Sequence, residues 1–242
     1  TKANLFFANG VLIVEGSGEE LLLPTLAKLI DRNLSDYGVS IVNVMSKGLI
    51  HFADIFKRSD GINMGIPVAC ITDRDIEPDV APKILGQKSD DPNRHWHTEN
   101  DLRQDASLLR KLNKRRENIN DGNVKAFISD KWTLEYDLVL SSWANDAMKN
   151  ALTNALFQAT GIQQKTQTEW LETFDNAENS ECRAVLFYKH VKRHKAEFAN
   201  YLANELEQLT NIDNSDLTLY RKFIPAYLVD AIEYVNGGND GK

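Results

Sequence analysis

The chain has 242 residues, 42% of them hydrophobic and 26% charged, which is typical of a globular protein with one large domain or two modest ones. No apolar run approaches the ~20 residues that a membrane span requires, and no signal-peptide pattern is present, so we expect a cytoplasmic protein with no membrane partner. The formal net charge of −7 argues against a protein that coats nucleic acid non-specifically, but it does not exclude a nuclease, because metal ions neutralise acidic sites.

The first third of the sequence alternates predicted strands with predicted helices. Apolar, β-branched runs predict the strands, and apolar residues recurring on one face predict the helices. In chain order we expect a strand at 11–14, a helix at about 19–34, a strand at 39–44, a helix at 50–58 and a strand at 66–72. This order is typical of a parallel sheet with right-handed crossovers.

The pattern becomes less regular after residue 75. Residues 76–100 are rich in Pro, Asp and Lys and predict a long loop or a poorly ordered insertion. A polar helix at 101–118, a fourth strand at 123–129 and a helix that begins within 132–138 are predicted next. Further helices are predicted at 144–159, 167–175, 180–207 and 216–235.

These elements together predict an α/β fold with two parts. Residues 1–141 are expected to form a catalytic domain around a central parallel four-stranded sheet flanked by helices, with a loop and helical insertion at about 76–120. Residues 142–242 are expected to form an additional helical region, part of which completes the active site.

Two of the predicted strands end in carboxylates. Residues 11–19 are VLIVEGSGE, which contain Glu15 and Glu19, and residues 66–75 are IPVACITDRD, which end in Asp73 and Asp75. Parallel α/β sheets bind ligands at the carboxyl ends of their strands. Four carboxylates at one edge repel each other unless divalent cations lie between them. The pattern therefore predicts a Mg²⁺ or Mn²⁺ site, and the alternative is a set of solvated helix caps and turn residues.

Several segments resemble the Toprim domain of the OLD (overcoming lysogenization defect) family nucleases, in the C-terminal catalytic region and in a class 2-like form. They are FFANGVLIVEGSGEELLLPTLA at 6–27, GVSIVNV at 38–44, IPVACITDRD at 66–75 and KWTLEYDLVLS at 131–141, with a weaker match in HKAEFANYLANELE at 194–207. A second Glu four residues after the first separates OLD nucleases from topoisomerases and primases. Gly18 departs from the family, which commonly has Ser or Thr there. The resemblance implies the Toprim (Rossmann-like) fold.

The resemblance also implies roles for the acidic residues. Glu15 resembles the Toprim glutamate that acts as a metal ligand or general base, and Asp73 and Asp75 resemble the metal-binding aspartates. Glu19 and Glu135 resemble the additional acids that build a second metal site in OLD enzymes. The implied cofactor is Mg²⁺ or Mn²⁺, two ions per active site, with Ca²⁺ binding without supporting turnover.

Three later residues have rival interpretations. The resemblance implies that Thr133 adds an oxygen to the second metal site, but Glu135 in the same segment could simply favour a helix N-terminus, and Asp137 is a rival for its role. Lys195 matches a family lysine near the scissile phosphate, where it would stabilise the transition state. On pattern alone Lys195 could equally belong to a solvated basic face.

Basic residues cluster in two places. Arg110, Lys111, Lys114, Arg115 and Arg116 lie within seven residues, and a second cluster contains Lys189, Lys192, Arg193 and Lys195. The first cluster could contact DNA phosphates or could be a solubilising helix face. Both interpretations remain open from the sequence.

The resemblance implies a metal-dependent DNA endonuclease that uses two metals. Another Toprim enzyme, such as a primase or topoisomerase, and a catalytically silent DNA-binding or regulatory module are the alternatives. OLD proteins carry an ABC-type ATPase before this domain, and no Walker motif occurs here, so we expect the ATPase to be absent from this chain. Dimerisation of the full-length protein, a superfamily 1 helicase partner and a role in phage defence are further implications of the resemblance.

Overall fold

A four-stranded parallel sheet forms the centre of the computed structural model, and the predicted α/β fold is confirmed. The structure describes residues 7–45, 48–57, 65–88, 94–210 and 217–237, without the side chains of residues 115, 116, 217 and 218. In chain order the strands are β1 (Gly10–Val14), β2 (Val39–Asn43), β3 (Val68–Thr72), β4 (Ile76–Glu77), β5 (His97–Thr98) and β6 (Val124–Ile128). The order in the main sheet is β2-β1-β3-β6.

The two inner strands are buried on both faces because helices cover each side of the sheet. Alternate residues of a strand point to opposite faces. Leu12 and Val14 therefore join one buried cluster, whereas Val11 and Ile13 join another. This double burial explains why these strands are continuous apolar runs rather than alternating apolar and polar residues.

Twelve α-helices are found in the described residues. They are α1 (Ser17–Leu29), α2 (Leu49–Phe56), α3 (Ala81–Leu85), α4 (Glu99–Gln104), α5 (Ala106–Ile119), α6 (Leu134–Ser142), α7 (Asp146–Thr160), α8 (Gln164–Asp175), α9 (Ser180–Val191), α10 (Lys195–Thr210), α11 (Leu217–Tyr220) and α12 (Ala226–Val235). Within this part of the chain, no helix is both long enough and apolar enough to cross a membrane.

The insertion is more ordered than the sequence predicts. Strands β4 and β5 pair in parallel, with Ile76 opposite His97, and the short helices α3 and α4 belong to the same stretch. The prediction of a loop at 76–100 is therefore wrong for these elements, and residues 89–93 lie outside the described part. Two-residue strands are too short to show a periodic pattern.

The helical region packs directly against the sheet domain. One buried cluster continues from Leu12 of β1 to Val235 of α12 and includes residues of α1, α7, α9 and α10. The predicted helix at 180–207 is two helices, α9 and α10, because residues 192–194 interrupt the helix. The predicted helix at 216–235 is also divided, by a 3₁₀ turn at Arg221–Phe223 and by Pro225. The division of the chain at residue 141 stays a prediction.

Candidate metal centre

The ends of β1 and β3 bring two polar side chains together. Val14 lies opposite Ile71 in the ladder, so the next residues along each strand are Glu15 and Thr72. The buried Thr72 hydroxyl donates a hydrogen bond to Oε2 of Glu15 at 2.6 Å. The strand register therefore fixes the backbone position of Glu15, and the hydrogen bond from Thr72 orients the Glu15 carboxylate.

Glu19 lies in the first turn of α1, which begins just after β1. Its side chain is only 8% exposed. The first turn of α1 packs closely on the start of α6, since a Cβ at Gly18 would lie 3.3 Å from Cδ2 of Leu134. Glycine at position 18, the departure noted above, thus suits this close approach.

Asp73 and Asp75 both follow β3, but they differ in burial and in backbone conformation. Asp73 is partly buried, and its Oδ1 accepts a hydrogen bond from the backbone N–H of Leu134 at 3.1 Å. Asp75 is exposed and has a backbone φ of 59°, in the left-handed region that non-glycine residues rarely adopt. The segment between the two acids is therefore bent sharply at its end.

Helix α6 separates the roles of Glu135 and Asp137. The hydroxyl of Thr133 is the N-cap and accepts the Tyr136 N–H at 3.5 Å. The Asp137 carboxylate accepts the backbone N–H groups of Lys131 and Trp132 at 3.1 and 3.2 Å, so it closes the turn before the helix. Glu135 is 4% exposed and lines the cleft described below.

Lys195 is the first residue of α10 and reaches back to α6. Its Nζ lies 2.9 Å from Oε2 of Glu135 and 5.4 Å from the ring centre of Tyr188. The ammonium of Lys195 and the buried carboxylate of Glu135 therefore form a close ion pair. The break between α9 and α10 therefore places a lysine against the acidic residues.

A single cleft of about 470 Å³ collects most of the predicted site residues. Its lining includes Glu15, Glu19, Asp73, Asp75, Glu135 and Lys195. Thr133 is not part of this lining and serves as a helix cap.

The described basic side chains of α5 do not line the cleft either. Arg110, Lys111 and Lys114 are exposed, and the side chains of Arg115 and Arg116 lie outside the described part. Other residues of α5, among them Leu109 and Leu112, line a neighbouring cleft together with Arg74.

The carboxylates of the cleft repel one another. Burial is the largest influence on Asp73 and raises its pKa well above the usual range, and the charges of Glu135 and Glu19 raise it further. Burial also raises the pKa of Glu19, with smaller contributions from Glu135 and Glu15. The site therefore holds more negative charge than its protein surroundings stabilise.

The acids of the cleft stabilise the charged form of Lys195. Burial alone would lower its pKa, but the nearby charges of Glu135 and Asp73 outweigh burial and raise the pKa of Lys195. The ammonium group therefore stays protonated at neutral pH. Burial likewise raises the pKa of Asp137, to about 6, against the two hydrogen bonds that it accepts.

The donor chemistry of the cleft fits a hard divalent cation. Mg²⁺ and Mn²⁺ bind carboxylate oxygens. Five carboxylates line the cleft, and a bound cation would offset the repulsion between them. Among the described residues, no three acidic, His or Cys side chains are grouped closely enough to hold a metal ion as they stand. Glu15 and Asp73 instead contact Thr72 and Leu134. Metal binding would thus require the carboxylates that line the cleft to move closer together.

Sequence reasoning missed two residues next to the acids of the site, Thr72 and Arg74. Thr72 contacts Glu15, and the Arg74 N–H donates to Oγ of Ser129 at 2.8 Å. Thr72 could have been found from the sequence, because it is the one polar residue inside an otherwise apolar strand and directly precedes an acid.

The fold and the site together define an α/β domain with an acidic cleft at the strand ends of an open parallel sheet. Residues 6–75 match the family model described as "Overcoming lysogenization defect protein-like, TOPRIM domain". This part of the chain is therefore similar to an OLD-like Toprim domain.

Solved structures extend the similarity of fold to the rest of the chain. The C-terminal region of the Burkholderia pseudomallei OLD protein is 21% identical, with a TM-score of 0.58 over 96% of this chain and 98% of that one. The C-terminal region of the Xanthomonas campestris pv. campestris OLD protein is 18% identical, with a TM-score of 0.55 over 96% and 94%. No curated protein sequence matches the chain. The helical region is thus part of the same fold as in these OLD C-terminal regions.

Proposed function

We propose that this chain is the catalytic region of a metal-dependent DNA endonuclease. The observation that carries the proposal is the convergence of five carboxylates and one lysine on a single cleft, although they come from segments as distant as residues 15 and 195. A helix cap or a solvated face needs no such convergence. An acidic cleft with a protonated lysine suits a phosphodiester, whose charge must be balanced during cleavage.

Five carboxylates would hold Mg²⁺ or Mn²⁺ in this site: those of Glu15, Glu19, Asp73, Asp75 and Glu135. Divalent ions bound there would supply Lewis-acid polarisation of the phosphate and a more acidic bound water. Thr133 is a weaker candidate ligand, because its hydroxyl already caps α6. Whether one or two ions bind is part of the proposal.

The side chains of the cleft would have distinct roles. Glu15 would orient or deprotonate the attacking water, since it directly follows the end of β1 and its carboxylate is oriented by Thr72. Lys195 would keep its proton on Nζ and donate towards a non-bridging phosphate oxygen, where negative charge develops. To do so its ammonium would have to exchange Glu135 for the substrate.

DNA would be held by basic residues outside the cleft. Arg110, Lys111 and Lys114 on α5, and Lys189, Lys192 and Arg193 near the start of α10, are exposed. Phosphate contacts of this kind are independent of sequence and weaken with salt. We therefore propose that they supply affinity and not base specificity. An ATPase region, a dimer, a helicase partner and a role in phage defence stay predictions.

The test is cleavage of supercoiled plasmid by this chain in Mg²⁺, Mn²⁺, Ca²⁺ or EDTA. We expect nicked and linear products in Mg²⁺ or Mn²⁺, and none in Ca²⁺, in EDTA, or with Glu15→Ala or Asp73→Ala. The matched control is Glu20→Ala, which removes an exposed acid next to Glu19 on α1 and should cleave as the wild type does.

Other outcomes would identify the alternatives. Topoisomer ladders without nicks would favour a topoisomerase. DNA binding without cleavage in any metal would favour a silent binding module. Cleavage that persists in Asp73→Ala would refute the metal assignment.

A further inference from the structure

Arg74 lies between the two aspartates that follow β3, yet its side chain is directed away from the acidic cleft. It lines two neighbouring clefts instead. Its guanidinium forms a two-point ion pair with Glu99, in which one nitrogen contacts Oε1 and the other lies 3.4 Å from Oε2. The same guanidinium lies 3.4 Å from the Lys131 carbonyl oxygen.

The backbone at Arg74 is held as well. Its N–H lies 2.8 Å from Oγ of Ser129 and 3.1 Å from the carbonyl oxygen of Trp132. The next residue, Asp75, has the positive φ noted above. A non-glycine residue keeps such a conformation only where surrounding contacts impose it. The contacts of Arg74 therefore hold the residue between Asp73 and Asp75 through both its backbone and its side chain.

Glu99 is supplied by the insertion and is itself firmly placed. It is the first residue of α4, directly after the N-cap Thr98, which forms a capping box with Asp101. Pairing of β4 with β5 brings Thr98 opposite Glu77, two residues after Asp75. The insertion thus starts just after the segment from Asp73 to Asp75 and packs back next to it, where Glu99 contacts Arg74.

We propose that Glu99 is a positioning residue which, through Arg74, holds the Asp73 and Asp75 carboxylates in the arrangement that binds a divalent cation. This inference rests on the proposed function. The insertion then has a defined task, because it carries the acid that fixes the metal-binding segment. Outer partners that orient metal ligands typically change metal affinity about 10- to 100-fold when they are removed.

The experiment measures the binding of Mn²⁺ by electron paramagnetic resonance, without substrate. Arg74→Gln and Glu99→Gln should each weaken Mn²⁺ binding by about 10- to 100-fold. A direct charge effect predicts otherwise, because loss of a positive charge near the site would strengthen binding and loss of a negative charge would weaken it. Weakening by both substitutions therefore separates positioning from simple electrostatics.

Two further variants complete the test. The charge exchange Arg74→Glu with Glu99→Arg should recover most of the affinity that either change alone removes. Arg94→Gln is the matched control, since it breaks the Arg94–Asp101 ion pair of the same insertion, which has similar exposure, and it should leave Mn²⁺ affinity unchanged. Circular dichroism of each variant checks that the fold is retained.

Three outcomes would overturn the inference while leaving the proposed nuclease intact. They are an unchanged Mn²⁺ affinity in Glu99→Gln, opposite effects of the two single substitutions on that affinity, and an equal loss of affinity in Arg94→Gln. Absence of Mn²⁺ binding by the wild-type chain would instead overturn the proposed function, and this inference with it.

Discussion

The two sides of the acidic cleft are held in place by different means. On the sheet side, Glu15 and Asp73 follow neighbouring strands whose backbone ladder fixes their positions. On the helical side, Glu135 and Lys195 depend on a helix cap, on the break before α10 and on packing between elements distant in sequence. We infer that the sheet side would supply most of the metal ligands, whereas the helical side would supply one acid, Glu135, and the lysine that balances charge at the substrate.

Removal of the Lys195 charge is the strongest test of this division. We expect Lys195→Gln to slow cleavage by about 10²- to 10³-fold, the loss seen when one donor to a developing oxyanion is removed. Mn²⁺ binding should be kept or strengthened, because a positive charge leaves the neighbourhood of the acids. Single-turnover cleavage and Mn²⁺ titration measure the two effects separately.

The control for Lys195 is Lys192→Gln, an exposed lysine three residues earlier. It should weaken DNA binding and reduce the dependence of binding on salt, while the single-turnover rate at saturating DNA stays close to that of the wild type. Loss of Mn²⁺ binding in Lys195→Gln would show that Lys195 helps to form the metal site itself, and the role proposed for its charge at the substrate would then fail.

Thr72 tests the sheet side. Thr72→Val keeps the shape of the side chain but removes the hydroxyl that donates to Glu15 at 2.6 Å. We expect Mn²⁺ affinity to fall by about 10- to 100-fold, as for other groups that orient metal ligands. Thr72→Ser keeps the hydroxyl and should retain most of the affinity. If Ser were as harmful as Val, the methyl group and its packing would be responsible instead.

Much of the sheet side could be predicted from the sequence, because buried parallel strands are continuous apolar runs that end at polar residues. Glu15, Glu19, Asp73 and Asp75 were found in this way. The two-residue strands and short helices of the insertion could not be predicted, because elements of that length show no periodicity.

The helical side was harder to predict for a different reason. Glu135 and Lys195 were identified by resemblance to a family, and no Gly or Pro at residues 192–194 marks the break that brings Lys195 to the cleft. Asp137 could not be distinguished from Glu135, because both acids lie in the first turn of α6 and their roles differ only through the contacts that folding creates. The Arg74–Glu99 pair joins residues from separate elements, and no local pattern reports such a contact.

Asp137 and Glu135 offer a smaller but direct comparison within one helix. Asp137→Asn should lower the free energy of unfolding by about 1–3 kcal/mol, because one of the backbone N–H groups of Lys131 and Trp132 loses its acceptor. Cleavage well below the melting temperature should be retained. Glu135→Gln should do the reverse, with slower cleavage and a smaller loss of stability, since relief of the repulsion with Asp73 offsets loss of the ion pair with Lys195. Urea unfolding and plasmid cleavage measure the two properties, and equal effects on both would deny the separation of roles.

The smallest expected effect concerns the aromatic packing that supports the helical side. His190 of α9 stacks on Trp170 with ring centres 3.8 Å apart, and burial lowers its pKa, with a further contribution from Lys189. The folded state therefore binds this proton less readily than the unfolded state, so the contribution to stability is complete above the usual histidine pKa of about 6.5 and is lost as the pH falls below it. We expect the melting temperature of the wild type to fall between pH 7 and pH 5 by more than that of His190→Phe, which cannot titrate. Parallel curves for the two proteins would show that His190 does not couple the helical side to pH, and acid sensitivity of the cleft would then have to arise from its carboxylates.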